Sequence, residues 1–189
     1  MTKKELRYVY KERRLELGVE QIEMMQEMLL LRFRQLNLPV LKYVHSYLAI
    51  DRHKEIDTRP ILEFLKFRHP EMKLVIPKSD FIRNSFVNYL YGPDTVLEKN
   101  QFGILEPAGG EMVAPELIDL VLVPLLAFDE RGYRVGYGKG FYDHFLAGCR
   151  KDVCKVGLSF FEAVDRIDDT DDFDISLTFC VTPHRVYDF

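Results

Sequence analysis

The sequence has few cysteines, no long apolar run and no strong excess of either charge, and each shortage excludes a class of protein. Cysteine occurs only at Cys149, Cys154 and Cys180. An odd set without metal-ligand spacing or a nearby histidine pair reads as reduced thiols of a cytoplasmic protein, not as a disulfide framework or zinc site. No stretch of about 18 apolar residues is present, so a membrane span is not expected. The opening MTKKELRYVYKERR is too charged for a secretory signal. A net charge of −4 gives no general attraction to nucleic acid or anionic membrane. Internal repeats, low-complexity tracts and linker-like stretches are all missing. With 189 residues and 47% apolar content, the chain is long enough for one well-buried domain and short for two. One domain spanning residues 1–189 is expected.

The most informative stretch is Asp119 to Leu146, DLVLVPLLAFDERGYRVGYGKGFYDHFL. It opens with Leu120-Val121-Leu122-Val123, stopped by Pro124, a pattern suited to a strand buried on both faces. A turn follows at Asp129-Glu130-Arg131-Gly132. Then come three alternate glycines, Gly136, Gly138 and Gly140, and an aromatic helix start from Phe141. Strand, glycine loop and helix start leave bare backbone N–H groups that favour an anion. Arg134 and Lys139 add fixed positive charge, and Asp143 lies just inside the helix. The glycines alone fit a mobile turn; with the flanking charges they read as a phosphate cradle. Neither common nucleotide fingerprint applies. A Walker loop needs glycine where Tyr133 stands and serine or threonine where Gly140 stands, and the third glycine of the dinucleotide pattern falls on Phe141.

The remaining elements follow from periodicity and punctuation. Residues 2–16 look helical with little apolar stripe beyond Leu6, Val9 and Leu15, and Lys3 and Arg7 share one face. A second helix is expected over 19–36, with Ile22, Met25, Leu29 and Phe33 buried. Tyr43 to Ile50 reads as a strand, and Thr58 with Pro60 as a helix start for residues 61–69. Met72 to Ile76 reads as a strand ended by Pro77. From Lys78 to Pro115 only the aromatics Phe81, Phe86, Tyr89 and Tyr91 are suggestive, of short antiparallel pieces or a cleft wall. Helix is expected from Phe141 to Gly148, and strands over Lys155–Phe160 and Leu177–Val181. Alternation of helices with short buried strands implies an α/β sandwich of three layers around a mostly parallel sheet.

The run Pro124…Phe128-Asp129…Gly132…Arg134-Val135-Gly136…Gly138-Lys139-Gly140-Phe141-Tyr142-Asp143 resembles the signature of the 5-formyltetrahydrofolate cyclo-ligase (5,10-methenyltetrahydrofolate synthetase) family. The likeness extends through Lys3-Lys4-Glu5-Leu6-Arg7, Glu55-Ile56-Asp57-Thr58, Gly103-Ile104-Leu105-Glu106-Pro107 and Val181-Thr182, in order. The resemblance implies a fold like that of the sugar-phosphate isomerase/CoA-transferase-like group. It implies ATP- and magnesium-dependent closure of 5-formyltetrahydrofolate to 5,10-methenyltetrahydrofolate, releasing ADP and phosphate. Lys139 and Arg134 would then be catalytic. Lys3, Lys4, Arg7, Arg134, Gly136, Gly138, Lys139, Gly140, Phe141 and Tyr142 would contact ATP. Leu48, Glu55, Tyr137, Gly138, Lys139, Gly140 and Phe141 would contact the folate, with Glu55 accepting hydrogen bonds from the pterin ring. Asp143 and Asp174 would hold Mg2+, while Asp168, Asp169 and Asp171 stay solvated; a register slip would exchange Asp172 with Asp174. Tyr137 stands where some relatives carry arginine, and His144 where arginine is frequent. The expected partners are these small molecules alone, with no nucleic acid and no membrane. A monomer is expected, without excluding an oligomer. The rival reading is a non-catalytic folate- or nucleotide-binding module of the same fold. It predicts loss of Asp143, Lys139 or a glycine, and all are present.

Overall fold

A computed structural model describes residues 1–189. In chain order it contains α1 (Lys3–Glu16), α2 (Val19–Phe33), β1 (Tyr43–His45), α3 (Arg59–Arg68), β2 (Lys73–Asp80) and β3 (Ser85–Tyr91). There follow β4 (Leu97–Lys99), β5 (Leu105–Pro107), β6 (Leu120–Pro124), β7 (Ala127–Phe128) and β8 (Arg134–Val135). The chain closes with α4 (Phe141–Ala147), β9 (Cys154–Leu158), β10 (Phe179–Val181) and β11 (Val186–Asp188). Seven strands form one sheet in the order β11-β10-β9-β6-β1-β2-β3. The inner five run parallel, and β11 and β3 flank them antiparallel. The expected mostly parallel α/β architecture is present.

The sequence of β6 explains its central place. Leu120 and Leu122 face one side and join Leu29, Phe33, Ile61 and Leu65 from α2 and α3. Val121 and Val123 face the other and join Phe145 and Leu146 from α4. A strand apolar on both faces needs a layer on each, which makes the molecule three layers deep. Helix α1 packs elsewhere, as Leu6 and Tyr10 close over Leu126, Ala127, Val135 and Ile167.

The chain moves from β1 outward to β2 on one side, then returns to place β6 on the other side of β1. The carboxyl ends of β1 and β6 therefore flank a topological switch point, where open α/β sheets leave a crevice.

Several boundaries differ from those the sequence suggests. The chain leaves the sheet at His45, not Ile50, because buried side-chain bonds replace the ladder. Ser46 Oγ donates to Thr58 Oγ1 at 3.1 Å, and Thr58 Oγ1 donates to the Tyr47 carbonyl at 3.3 Å. Thr58 is thus occupied by the crossing loop and makes no side-chain cap on α3. Strand β2 does not stop at Pro77. Beyond Val75 it has no β1 neighbour, so the missing N–H breaks no ladder bond on that side, while β3 pairs with it out to Asp80. α2 ends at Phe33, and Gln35 and Leu36 close a tight turn instead of continuing the helix. β10 begins at Phe179, two residues later than expected. α1 has a firmer buried face than its apolar residues suggest, because the stripe is Leu6, Tyr10 and Arg14 at fourfold spacing. The three cysteines are free thiols; burial pushes Cys149 and Cys154 each up to about 11. No helix is long and apolar enough to cross a membrane.

Candidate active site

A cleft of about 920 Å3 opens at the switch point. Its walls come from α1, the segment after β1, the β2–β3 hairpin, the loop before β5, the glycine loop and residues 171–175. Lys3, Arg7, Leu48, Glu55, Arg134, residues 136–143 and Asp174 all line it. Among the residues that the resemblance names, Lys4 alone does not; it is exposed and turned away from the cleft lining. A helix periodicity explains the split, since Lys3 and Arg7 are one turn apart and Lys4 is rotated about 100° from Lys3.

The glycine loop is set by the β7–β8 hairpin beneath it. Fully buried Asp129 accepts backbone N–H bonds from Arg131, Tyr133 and Ile167, all at 3.0 Å, and pairs with the Arg131 guanidinium at 2.7 Å. That one carboxylate ties the hairpin turn to the segment leading toward Asp174. Above the hairpin, the N–H groups of residues 136–140 have no acceptor within the protein. The first turn of α4 adds three more donors that no intrahelical carbonyl can reach. Gly138 and Gly140 hold φ of +83° and +69°, which L side chains rarely adopt. Arg7 Nε donates to the Gly136 carbonyl at 2.9 Å, and its guanidinium lies against Gly138. Asn84, at the tip of the β2–β3 hairpin, donates to the Lys139 carbonyl at 2.7 Å. The Lys139 side chain has no acidic partner, whereas its backbone is fixed from both sides.

The acidic residues sort themselves by depth. Arg134, almost wholly buried, pairs with Asp143 at 2.8 Å and also donates to the Ile175 carbonyl. Ile175 N–H donates to the same Asp143 oxygen at 3.1 Å, which brings Asp174 and Asp143 to adjoining places on the wall. Asp143 Oδ2 has no partner in the protein. Asp174 is inward-facing and pairs with Lys3 Nζ, at 2.6 Å through Oδ1. Asp172 is exposed and makes no such pair. Asp168, Asp169 and Asp171 are exposed but not idle. They take the Met1 ammonium at 2.7 Å, the Lys3 backbone N–H at 2.6 Å and Lys3 Nζ at 3.8 Å. They anchor the start of α1, a role that composition alone conceals. No cluster of three or more His, Cys, Asp or Glu side chains occurs, so a divalent ion here would need oxygens from a bound ligand.

Across the cleft stands Glu55. Lys54 Nζ ties its loop to the Leu15 and Leu17 carbonyls at the end of α1, at 2.5 and 2.7 Å. Glu55 accepts from Ile50 N–H at 2.8 Å and from the Tyr137 hydroxyl. Burial raises its proton affinity, and the Tyr137 and Ile50 bonds oppose that rise. The floor is aromatic: Phe86 stacks on Phe141 at 5.3 Å, and Phe81 meets both Phe102 and Phe141 edge-on at 5.1 and 5.6 Å. Phe81 and Phe86 are members of this site that the sequence suggests; Phe102 and Arg14 carry no such signal. Neither falls in a periodic pattern that marks a cleft. Glu106, from the Gly-Ile-x-Glu-Pro motif, is buried and accepts from Ser79 N–H at 3.0 Å, bracing the β2 wall.

A mostly parallel α/β sheet, covered on both faces and carrying an anion-binding loop in its switch-point crevice, defines the class. Residues 1–183 match the 5-formyltetrahydrofolate cyclo-ligase family, and the chain belongs to that family. It is 34% identical to a 5-formyltetrahydrofolate cyclo-ligase of Haemophilus influenzae over 122 residues, 63% of this chain and 64% of that one. It is 28% identical to the Escherichia coli K12 protein of the same name over 163 residues, 82% of this chain and 87% of that one. The solved 5,10-methenyltetrahydrofolate synthetase of Aquifex aeolicus superposes with a TM-score of 0.80 at 34% identity, covering 100% of this chain and 93% of that one. A synthetase from Mycoplasma pneumoniae shares the fold, with a TM-score of 0.74 at 23% identity over 97% of this chain and 99% of that one.

Proposed function

We propose that the protein closes 5-formyltetrahydrofolate to 5,10-methenyltetrahydrofolate at the expense of ATP. The observation that supports this best is the opposition, across one cleft, of an unpaired-donor loop flanked by cations and a partly buried carboxylate beside an aromatic floor. Loop N–H groups, Arg7, Lys3 and Lys139 suit a triphosphate. Glu55 suits the 2-amino and N3–H edge of a pterin, and Phe86, Phe141 and Phe102 suit flat rings.

The chemistry accounts for the residue types. The formyl oxygen attacks the γ-phosphorus and ADP departs. N10 then bonds to the formyl carbon, gives up its proton, and the former formyl oxygen leaves with phosphate. Positioning and charge neutralisation do most of this work, and no side-chain nucleophile is required. Arg7 and Lys3 hold phosphate oxygens, Lys139 faces the charge that builds on the transferred group, and Arg134 keeps Asp143 turned into the cleft. Asp143, with one oxygen unpartnered, and Asp174 beside it would hold Mg2+, Asp174 giving up its Lys3 partner to the phosphates as it does so; the ion supplies charge neutralisation for the phosphates when bound. The donor set fits: two hard carboxylates, with the remaining ligands from phosphate and water.

The test follows the near-ultraviolet absorbance of the methenyl product with purified protein. Turnover is expected only with 5-formyltetrahydrofolate, ATP and a divalent ion together. Equal turnover without ATP, or none with all three, refutes the proposal.

A further inference from the structure

The buried charge nearest Glu55 does not touch it. Arg14, on the buried face of α1, is 5% exposed, and its hydrogen bonds go to a carbonyl and a phenol, not to a carboxylate. Its Nη1 donates to the Leu125 carbonyl at 3.3 Å, and its Nη2 donates to the Tyr137 hydroxyl at 2.5 Å. That hydroxyl in turn donates to Glu55 Oε1. A guanidinium and a carboxylate taken from water need compensation, and here one phenol stands between them and serves both. The Tyr137 ring is clamped by the His53 imidazole at 5.4 Å and by Arg14 over its face at 5.7 Å. Tyr137 thus turns its polar end into the wall, not toward a ligand.

We propose that Tyr137 is a positioning residue for the folate: its hydroxyl, oriented by Arg14, fixes the Glu55 carboxylate in the pose that receives the pterin edge. The proposal rests on the function given above. Each Glu55 oxygen already has one protein donor, Tyr137 on Oε1 and Ile50 N–H on Oε2, and each keeps a second lone pair for substrate. Two parallel donors of a pterin then meet two oxygens whose orientation is set in advance. The cation on this side of Glu55 comes from α1, relayed through the phenol.

The groups that face Glu55 are Arg14 from α1, Tyr47 after β1, Tyr137 from the glycine loop and Tyr142 from α4, with His53 packed behind Tyr137. Tyr47 is buried and Tyr142 partly buried, burial holds both phenols neutral, and His53 is shifted toward its neutral form by burial and nearby cations. Tyr137 and Ile50 are the direct donors that favour the ionised carboxylate.

The experiment is steady-state kinetics of Tyr137→Phe across pH, beside the parent protein. Tyr137→Phe keeps the ring and removes one donor to a charged group, so the Michaelis constant for 5-formyltetrahydrofolate is expected to rise roughly ten- to a hundredfold. The constant for ATP is expected to stay within about threefold, a split that general disorder of the glycine loop would not give. The acid limb of kcat/KM for the folate is expected to move to higher pH by about one unit, the counterpart of a tenfold loss. Arg14→Met should act in the same direction, and the double variant should cost less than the two combined, because both cut one relay. Should Tyr137→Phe prove unfolded, Arg14→Met alone carries the test. An active parent with an unmoved folate constant and acid limb in the variant overturns the proposal. An inactive parent refutes the underlying function instead.

Discussion

Gly138→Ala adds one methyl group, and the structure gives its cost in two parts. The backbone there has φ of +83°, where an L residue is strained by about 1–2 kcal/mol. The new Cβ would also lie 2.9 Å from Arg7 Cζ and 3.1 Å from its Nη2, so the guanidinium must shift. Shifting it endangers the 2.9 Å bond to the Gly136 carbonyl, a charge-assisted bond worth about 1.5–3 kcal/mol at most, since Arg7 is only part-buried. The combined penalty is about 2–4 kcal/mol. It has to appear somewhere. If the loop keeps its shape, the protein melts lower; if the loop relaxes, ATP must restore the shape and binds roughly thirtyfold or more weaker. Thermal unfolding and the Michaelis constant for ATP, measured on the same preparation, capture both routes. Gly136→Ala is the matched comparison for the melting temperature, because its Cβ meets nothing within 4 Å and its φ is not left-handed. A Gly138→Ala protein with parental melting temperature and parental ATP constant refutes the account of the loop.

Asp143→Asn and Asp174→Asn should each raise the magnesium needed for half-maximal turnover by tenfold or so, while Asp172→Asn should not, and a titration showing the reverse would mean the wrong acid is assigned. Leu6→Ala should cost about 2–5 kcal/mol, because this fully buried side chain holds α1 on the β7–β8 hairpin, and thermal melting lowered by less than a degree would show that α1 is not part of the core. His45 should make the protein acid-sensitive: burial among Phe86, Tyr142 and Phe145 lowers it to about 3, whereas the unfolded chain takes a proton near 6.5. Its folded affinity for protons is the weaker one, so stability is full above about pH 6.5 and falls on acidification toward pH 3, by roughly 1.4 kcal/mol per unit. His45→Phe should flatten that slope in pH-dependent denaturant unfolding; an unchanged slope removes His45 as its cause.

What the sequence disclosed depended on whether the signal was local. The β6 run is apolar at every position, so its burial on both faces could be read directly. Gly136, Gly138 and Gly140 mark a loop wherever they occur, and the family signature placed the acids and bases around it. Pro77 misled because whether a proline ends a strand depends on the neighbour it would have bonded, and β1 is already finished there. The buried stripe of α1 was obscured because one of its three members, Arg14, is charged. Its reason for burial is a phenol over a hundred residues away. The capping box of Thr2 and Glu5, by contrast, closes within three residues and fixes the start of α1 locally. Asp168, Asp169 and Asp171 looked alike as an acidic run; only the fold tells which one meets the Met1 ammonium and which meets Lys3.

The Lys3–Asp174 pair joins positions 171 residues apart, and the Arg14–Tyr137 and Tyr137–Glu55 contacts join positions 123 and 82 apart. Closing such loops costs chain entropy that local contacts do nothing to offset, although the cost grows only slowly with length. A chain emerging from synthesis can complete α2, α3 and the β1–β2–β3 ladder long before residue 174 exists. It cannot complete the cleft. Competence for ligand therefore arrives with the last segment to dock, and ligand binding reports on whether both ends of the fold have found each other. Fragments or variants that keep the sheet but lose the 165–175 segment should retain most of their secondary structure while losing the Asp174 wall of the cleft and the partners that anchor the start of α1.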